Sequence, residues 1–386
     1  MQGRHLFCLG RLGAGGSRVA VTLVVAVVAA ILVLLPGAVA ASAAPHRVAP
    51  ARLAREAQLS LAQAPAGLRA AVRRTLGAGA QGTAWSQQAK LTASPVTGRD
   101  RFGLSVALSG STAVVGAPFT NGPAVGAAYV FVHTTTGWSQ QAKLTEGQAA
   151  GTGGYFGRSV ALSGSTAIIC GHNGAFVFVH TTTGWSLQAK LLLTEANLAP
   201  ALSGSTAVIG APDDDSTDTG AAYVFVHTTT GWSQQAKLTA SNAATSDEFG
   251  YSVALSGSTA VIGAPFKNSY AGAAYVFVHT TTGWSQQARL TASNAASNDN
   301  FGGSVALSGS TAVIGAPGKN SYAGAAYVFV HTTTGWSQQA KLTASGAASD
   351  EGFGSSAVLS GSTAIIGAPG VNAFARPGAA YVFMNT

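Results

Sequence analysis

The fold is decided by residues 249–290, whose sequence is FGYSVALSGSTAVIGAPFKNSYAGAAYVFVHTTTGWSQQARL. Short apolar runs alternate here with turn residues, so the stretch predicts four β-strands. Ser256-Gly257 predicts a tight turn after the first strand, because glycine tolerates a positive φ. Ala264-Pro265 ends the second strand, since proline cannot extend a hydrogen-bonded ladder. The third strand is predicted over Ala273 to His279 and the fourth over Trp284 to Leu290.

The same unit recurs along the chain with a period of about fifty residues. Its fourth strand opens on a tryptophan each time, at Trp85, Trp138, Trp185, Trp232, Trp284 and Trp336. The inner strands are apolar on both faces, as expected where each sheet is covered by two neighbouring sheets. The repeat therefore predicts an all-β fold, a closed β-propeller of six four-stranded blades. Seven blades are the alternative count, and a β-solenoid or a sandwich is the competing architecture.

The two ends of the repeat array predict how the ring closes. The array begins with a lone fourth strand, Trp85 to Leu91, and ends with a unit that stops after its third strand, Phe353 to Phe383. We therefore expect the N-terminal strand to complete the last blade, which would leave no exposed sheet edge at the joint.

Two adjacent units depart from the pattern. The second has Cys170-Gly171-His172 where other units have Gly-Ala-Pro, and the third has Leu198-Ala199-Pro200 in place of a Phe-Gly start. Because proline removes a ladder hydrogen bond, the third unit is expected to have a damaged inner strand.

The N-terminus has the three parts of a secretory signal. Arg4, Arg11 and Arg18 precede an apolar run from Val19 to Leu35, and small residues follow. We interpret residues 1–44 as a signal peptide or an uncleaved anchor, and 45–84 as an Ala- and Arg-rich linker that is partly helical. Residues 85–386 form the propeller. The leader predicts a secreted or cell-surface protein of bacterial type, in contact with a membrane only if the leader is uncleaved.

The net charge of +8 belongs to the N-terminal part of the chain. Residues 1–84 hold nine of the 21 Lys and Arg residues and one acid, whereas 85–386 hold twelve of each sign. A neutral repeat region offers no basic face, so nucleic acid is not an expected partner. Only Cys8 and Cys170 occur, which excludes a disulfide within the exported part.

The combination of Phe-Gly, Gly-Ala-Pro and Gly-x-x-Tyr-Val-Phe resembles the FG-GAP repeat, found in integrin α-chains and in exported bacterial proteins. Full matches begin at Phe102, Phe249, Phe301 and Phe353, and the resemblance covers 85–386. It implies a propeller, usually of seven blades, that binds a ligand and is not an enzyme. Integrin copies often carry a D-x-D-x-D-G calcium loop, but this chain has a short Ser-Gly-Ser turn at that place. The family's calcium sites are therefore not expected here.

One acidic loop remains a candidate for Ca²⁺, although no cofactor is favoured. Asp213, Asp214, Asp215 and Asp218 follow the third unit's Gly-Ala-Pro, and Ca²⁺ prefers carboxylate oxygens. We name Asp213, Asp215 and Asp218 as its ligands, with a solvated acidic loop as the alternative.

Three repeated side-chain types were considered as chemistry and given structural explanations. Histidines before each Thr-Thr-Thr-Gly are explained by duplication, and the tryptophans by inter-blade packing. Acids also precede the Phe-Gly pairs, at Asp100, Asp247-Glu248, Asp299 and Asp350-Glu351. Because a catalytic site needs a unique constellation, their repetition argues against catalysis.

From these observations we expect an exported, monomeric, non-enzymatic propeller that presents a binding surface to an extracellular protein or glycan, with a role in adhesion implied by the resemblance. Two alternatives stay open. One is a lectin-like glycan binder that uses the inter-blade aromatic residues. The other is an enzyme with its site at the central channel, where the acids before Phe-Gly would act.

Overall fold

The computed structural model describes residues 89–94, 100–120, 125–147, 154–191, 197–345, 349–370 and 378–385. The predicted leader, 1–44, and the predicted linker, 45–84, lie outside the described residues. Within the described ranges, no helix is both long and apolar enough to cross a membrane.

Six antiparallel sheets follow one another along the chain, so the prediction of a six-bladed all-β propeller is confirmed. Blade one contains β1 (Val106–Ser109), β2 (Thr112–Ala117), β3 (Ala127–Thr134) and β4 (Gly137–Leu144). Blade two contains β5 (Ser159–Ser163), β6 (Thr166–Gly171), β7 (Gly174–Thr181) and β8 (Gly184–Leu191). Blade three contains β9 (Ala199–Ser203), β10 (Thr206–Ala211), β11 (Ala221–Thr228) and β12 (Gly231–Leu238).

The second half of the chain repeats the arrangement. Blade four contains β13 (Ser252–Ser256), β14 (Thr259–Ala264), β15 (Ala273–Thr280) and β16 (Gly283–Leu290). Blade five contains β17 (Ser304–Ser308), β18 (Thr311–Ala316), β19 (Ala325–Thr332) and β20 (Gly335–Leu342). Blade six contains three strands, β21 (Ser356–Ser360), β22 (Thr363–Ala368) and β23 (Ala379–Met384). Two four-residue turns, Lys267–Tyr270 and Lys319–Tyr322, join the second and third strands of blades four and five.

The irregular units form complete blades, so the expectation of a damaged third unit was wrong. β9 pairs with β10 along its length, with Pro200 opposite Ile209. The strand order places β9 at the inner edge of its sheet, where a missing N–H removes no ladder bond to a further strand.

The hydrophobic core lies between blades rather than inside any one of them. One cluster joins Val276 and Leu290 of blade four to Phe301 and Tyr327 of blade five, all buried. The other clusters repeat this sharing between consecutive blades. Burial on both faces explains why the second and third strands are apolar throughout.

A second link between blades is a repeated hydrogen bond at the end of each first strand. The backbone N–H of Gly164 in blade two donates to Ser109 Oγ in blade one over 3.0 Å. The same bond joins the next four pairs of blades, at Gly204 and Ser163, Gly257 and Ser203, Gly309 and Ser256, and Gly361 and Ser308. The first strands also contact one another in this order, which makes them the innermost strands.

Among the described residues, the sixth link of this series is missing. No Ser360 to Gly110 bond joins blade six to blade one, and a Cβ added to Gly110 would meet nothing within 4 Å. Val358 of β21 is 61% exposed and Val106 of β1 is 70% exposed. Blades six and one therefore face a seam, and the described residues do not close the ring.

The prediction that Trp85 to Leu91 completes blade six requires correction. Trp85 to Gln88 lie outside the described residues, and residues 89–91 form no strand. Leu91 and the buried Ala93 pack on blade one, and Ser94 N–H donates to Gln140 Oε1 over 3.0 Å. The end of a fourth strand makes this same contact with the following blade elsewhere, as Ser293 does with Gln338. The segment is thus held by blade one, whereas β23 has no described fourth-strand partner.

Candidate functional site

The two ends of the propeller differ in sequence variation. The first strands begin at one end, and the antiparallel order brings the loops between second and third strands to the same end. We call it the Phe-Gly face. At the opposite end, the hairpin face, the Ser-Gly and Thr-Thr-Thr-Gly turns are repeated without change. A ligand that distinguishes blades would have to contact the Phe-Gly face.

The Phe-Gly and Gly-Ala-Pro motifs are used for packing between blades. The ring of Phe301 is fully buried and makes an edge contact with Phe329, with ring centroids 6.0 Å apart. A Cβ added to Gly263 would lie 2.1 Å from the carbonyl oxygen of Gly302 in the next blade. Only glycine allows this approach, so the motif glycines set the spacing of the blades.

The residues that flank Phe-Gly vary, although the repeat around them is nearly constant. The preceding residue has a positive φ in all five blades that have the motif, between 48° and 64°. That position is occupied by Arg101, Tyr155, Glu248, Asn300 and Gly352. The following position is occupied by Leu104, Arg158, Tyr251, Gly303 and Ser355. One backbone conformation thus presents a different side chain on each blade.

In blades one and two these side chains form a chain of stacked groups. The Arg101 guanidinium lies over the Phe119 ring, 4.5 Å from its centroid. Phe119 meets Tyr155 edge to face at 5.2 Å, and Tyr155 lies 4.5 Å from the His172 ring. Burial and the nearby Arg158 lower the pKa of His172, so its imidazole is held neutral.

The chain of groups continues through blades three and four with acidic character. The pKa of Glu248 is raised to about 7, first by partial burial and then by repulsion from Asp213 and Asp218. Burial also raises the pKa of Tyr251, and Glu248 adds to the effect. Tyr251 packs edge to face on Phe266 at 5.7 Å.

We call these side chains the mouth patch, since they surround the start of the innermost strands. It consists of Arg101, Phe119, Tyr155, Arg158, His172, Asp213, Glu248, Tyr251 and Phe266. Aromatic faces, one guanidinium pair and unneutralised carboxylates lie side by side there.

The structure does not bring the predicted calcium ligands to one point. Asp213 accepts a hydrogen bond from Asn197 over 2.6 Å. Asp215 caps its own loop through the N–H groups of Thr217 and Thr219. Asp218 is exposed on a left-handed backbone with φ of 51°. Within the described ranges, no three His, Cys, Asp or Glu residues are grouped as metal ligands. The Ca²⁺ site stays a prediction that this geometry does not favour.

Asp214 has a structural partner instead. Its carboxylate lies 2.6 Å from Lys237 Nζ and accepts a hydrogen bond from the Tyr223 hydroxyl. This acid therefore fixes the loop to the outer strands of blade three.

The acids before Phe-Gly that an enzyme would use are buried in ion pairs in blades four and five. Asp247 Oδ2 lies 2.5 Å from Lys267 Nζ, and Asp299 Oδ2 lies 2.6 Å from Lys319 Nζ. Each lysine also donates to a loop carbonyl, that of Asn242 or Asn294. Carboxylates occupied in this way are structural and are not available as general bases.

The repeated histidines and tryptophans form a clasp between neighbouring blades. Trp336 Nε1 donates to Gln287 Oε1 over 3.1 Å, and the His331 ring lies 5.2 Å from the Trp336 ring. Gln287 Nε2 and His331 Nε2 are 3.3 Å apart. Since the indole N–H and one ring face are already engaged, the tryptophans are explained by packing.

Cys170 is not placed for nucleophilic chemistry. Its thiol is buried, and burial raises its pKa to about 12, so the thiolate is not formed near neutral pH.

Sequence reasoning missed the mouth patch, although a signal for it was present. Aligning the six units emphasises what they share, and the patch consists of what they do not share. The left-handed residue before Phe-Gly is the clearest case, because its type changes from blade to blade while its φ stays the same.

The class of protein that this fold defines is a repeat β-propeller with a diversified face. The family model described as FG-GAP repeat matches residues 85–131, 138–176, 200–225, 232–277, 284–329 and 336–383. The chain therefore belongs to the FG-GAP repeat family. Repeats of this family are typically extracellular, and the family is typically non-enzymatic. A search of curated proteins found no match to the chain.

Proposed function

We propose that the chain is an exported, non-enzymatic binding module that engages an extracellular protein through its mouth patch, as an adhesion protein does. The variation of side chains on an otherwise constant frame carries this proposal. Positions that served packing alone would be as uniform as the Phe-Gly and Gly-Ala-Pro motifs beside them.

The composition of the patch favours a protein partner. Aromatic residues and arginine are enriched in the contact centres of protein interfaces, and Tyr155, Tyr251 and Arg158 supply both. The patch extends over four blades, which exceeds the footprint of a small ligand. Glu248 and Asp213 add a negative region that favours a partner with basic side chains.

The remaining parts of the proposal rest on the sequence. The leader supports export to the cell surface or medium, and the neutral repeat region gives no support to nucleic acid as a partner. We propose a monomer for the isolated chain. The glycan-binding alternative through the tryptophans has little support, since their indole N–H groups are bonded to glutamines.

The test uses replacements that the repeat itself provides. Tyr155→Asn combined with Glu248→Asn places the blade-five residue at both positions, and asparagine tolerates the left-handed backbone. The control is Thr135→Ala with Thr182→Ala, two exposed threonines of the hairpin face. Full-length chains are immobilised and exposed to surface proteins of the source organism, and captured proteins are quantified by mass spectrometry.

We expect wild type and the hairpin-face control to capture the same protein, and the mouth-patch variant to capture at least about tenfold less, equivalent to about 1.4 kcal/mol. Equal capture by all three chains would show that binding does not use the mouth patch. Thermal unfolding of each chain confirms that the variants are folded.

A further inference from the structure

A polar cavity of about 720 Å³ lies on the Phe-Gly face between the loops of blades five and six. Its lining includes Asp299 and Lys319, the turn residues Asn320 and Tyr322, and Asn298 and Asp350 from the two inter-blade loops. The volume is within the range of small-molecule sites. None of these residues belongs to the mouth patch.

The cavity exists because blade five lacks aromatic rings that blade four has. In blade four, Phe266 packs edge to face on Tyr270 at 5.1 Å and on Tyr251 at 5.7 Å. At the equivalent positions blade five has Gly318 in place of Phe266 and Gly303 in place of Tyr251, while Tyr322 corresponds to Tyr270. The loss of the Phe266 ring leaves the space beside Tyr322 open.

Tyr322 is consequently an aromatic ring without an aromatic neighbour in the part of the chain that the structure describes. Its side chain is 44% exposed and lines the cavity. Asn320, Ser321 and Tyr322 all have left-handed φ values, of 52°, 55° and 62°. The carbonyl of Tyr322 accepts the N–H of Gly352 over 2.7 Å, which fixes the turn to blade six. The ring is therefore presented by a firmly held backbone.

The charges in the cavity restrict the ligand. Lys319 and Asp299 neutralise each other at 2.6 Å, and both side chains are buried. Asn298, Asn320 and Ser321 are exposed and offer amide and hydroxyl groups. With its lysine engaged and Asp350 on the wall, the cavity suits an uncharged ligand with many hydroxyls better than a phosphate or carboxylate.

We propose that this cavity binds a neutral saccharide unit whose apolar ring face stacks on Tyr322, in the space that the Phe266 ring fills in blade four. The amide groups of Asn298 and Asn320 bond the hydroxyls of the sugar. The site is separate from the mouth patch, so this proposal and the proposed protein-binding function stand or fall independently.

The experiment uses blade four as the internal control, because it carries the same turn with the cavity filled. The full-length chain is applied to an array of immobilised neutral oligosaccharides, and the best-bound glycan is titrated by calorimetry. Tyr322→Ala and Asn320→Gly are compared with Tyr270→Ala and Asn268→Gly. Glycine keeps the left-handed conformation, so Asn320→Gly tests the amide even if Tyr322→Ala disturbs folding.

The expected result is that each blade-five variant weakens glycan binding about tenfold, while each blade-four variant leaves it unchanged. The mouth-patch variant Tyr155→Asn/Glu248→Asn should also bind the glycan like wild type. No glycan bound by the wild-type chain, or equal losses in blades four and five, would overturn the proposal. A nucleoside that competes fully for the site where free monosaccharides do not would overturn the saccharide assignment as well.

Discussion

Lys267 and Asp247 form an ion pair in which Nζ and Oδ2 lie 2.5 Å apart and both side chains are 6% exposed. The lysine follows the second strand of blade four, and the aspartate precedes the first strand of that blade. Asp247 Oδ2 also accepts the N–H of Ala244 over 2.7 Å. The pair therefore ties the inter-blade loop to its own blade, and Lys319 and Asp299 repeat the arrangement in blade five.

Replacing one partner of this pair should destabilise the protein strongly. In Lys267→Met the Asp247 carboxylate stays buried without its counter-charge, so the free energy of unfolding should fall by about 3–5 kcal/mol. Denaturation in urea measures the change. The double variant Asp247→Asn/Lys267→Met leaves no buried charge and should recover much of the loss. A single variant within about 1 kcal/mol of wild type would contradict a structural role for the pair.

The acidity of Glu248 predicts a pH dependence of stability. Its pKa in the folded chain is about 7, against 4.5 in the unfolded chain, so the folded state binds the proton more tightly. Its unfavourable contribution therefore appears as pH rises from about 4.5 to 7. Glu248→Gln should be more stable than wild type at pH 8 by about 1 kcal/mol, after allowance for solvent screening, and equal to it near pH 4.

The cause of that shift can be tested in the same way. In an Asp213→Asn background, the gain from Glu248→Gln at pH 8 should shrink, because one source of repulsion has been removed. Denaturation curves at several pH values give both results. A gain that is the same at pH 4 and pH 8 would show that the effect is not due to ionisation of Glu248.

The seam between blades six and one can be tested by removing single hydroxyls. Ser256 Oγ accepts the N–H of Gly309 over 3.2 Å, and Ser360 has no equivalent bond among the described residues. Ser256→Ala should lower the free energy of unfolding by about 1 kcal/mol, whereas Ser360→Ala should leave it nearly unchanged. Equal losses would indicate that Ser360 bonds Gly110 in solution and that the ring is closed.

The segment at residues 89–94 should contribute to stability through blade one. Ala93 is 7% exposed and packs in the core of that blade, whereas its neighbour Thr92 is exposed. Ala93→Asp should cost about 1–2 kcal/mol, a value limited by detachment of the segment, and Thr92→Asp should cost little. Thermal unfolding of the two variants makes the comparison. Similar midpoints would mean that the segment does not bind blade one.

Calcium should have little effect on the chain, because the carboxylates of the acidic loop have separate partners. We expect 5 mM CaCl₂, a concentration of the order at which weak extracellular sites fill, to leave the unfolding temperature of wild type unchanged. A rise of several degrees that is absent in Asp215→Asn would show that Asp213, Asp215 and Asp218 rearrange around the ion.

Sequence alone predicted most of the fold, because the packing groups are the repeated groups. Phe301 and Gly302 occupy equivalent places in four other blades, so each copy supports the same assignment. Closure was not predictable in this way, since matching strand counts do not reveal which blade holds Leu91. The opposite expectation of a defective β9 failed because Pro200 lies at a sheet edge, where it is tolerated.

The candidate site could be predicted only in part. The acids before Phe-Gly were correctly assigned a structural role, but their buried lysine partners lie 20 residues away along the chain. The pKa of Glu248 depends on Asp213 and Asp218 of another blade, which no local pattern displays. The cavity beside Tyr322 results from a glycine at position 318, and a missing ring carries no motif.

The uniform joints between blades have a consequence for how the gene can change. Every blade meets the next through the same glycine contacts, serine bond and tryptophan clasp, so any blade fits beside any other. Unequal recombination between near-identical repeats would add or remove a whole blade without disturbing a single joint. The number of blades is then limited at the seam alone, and the side chains around the mouth can be reshuffled together with the blades that carry them.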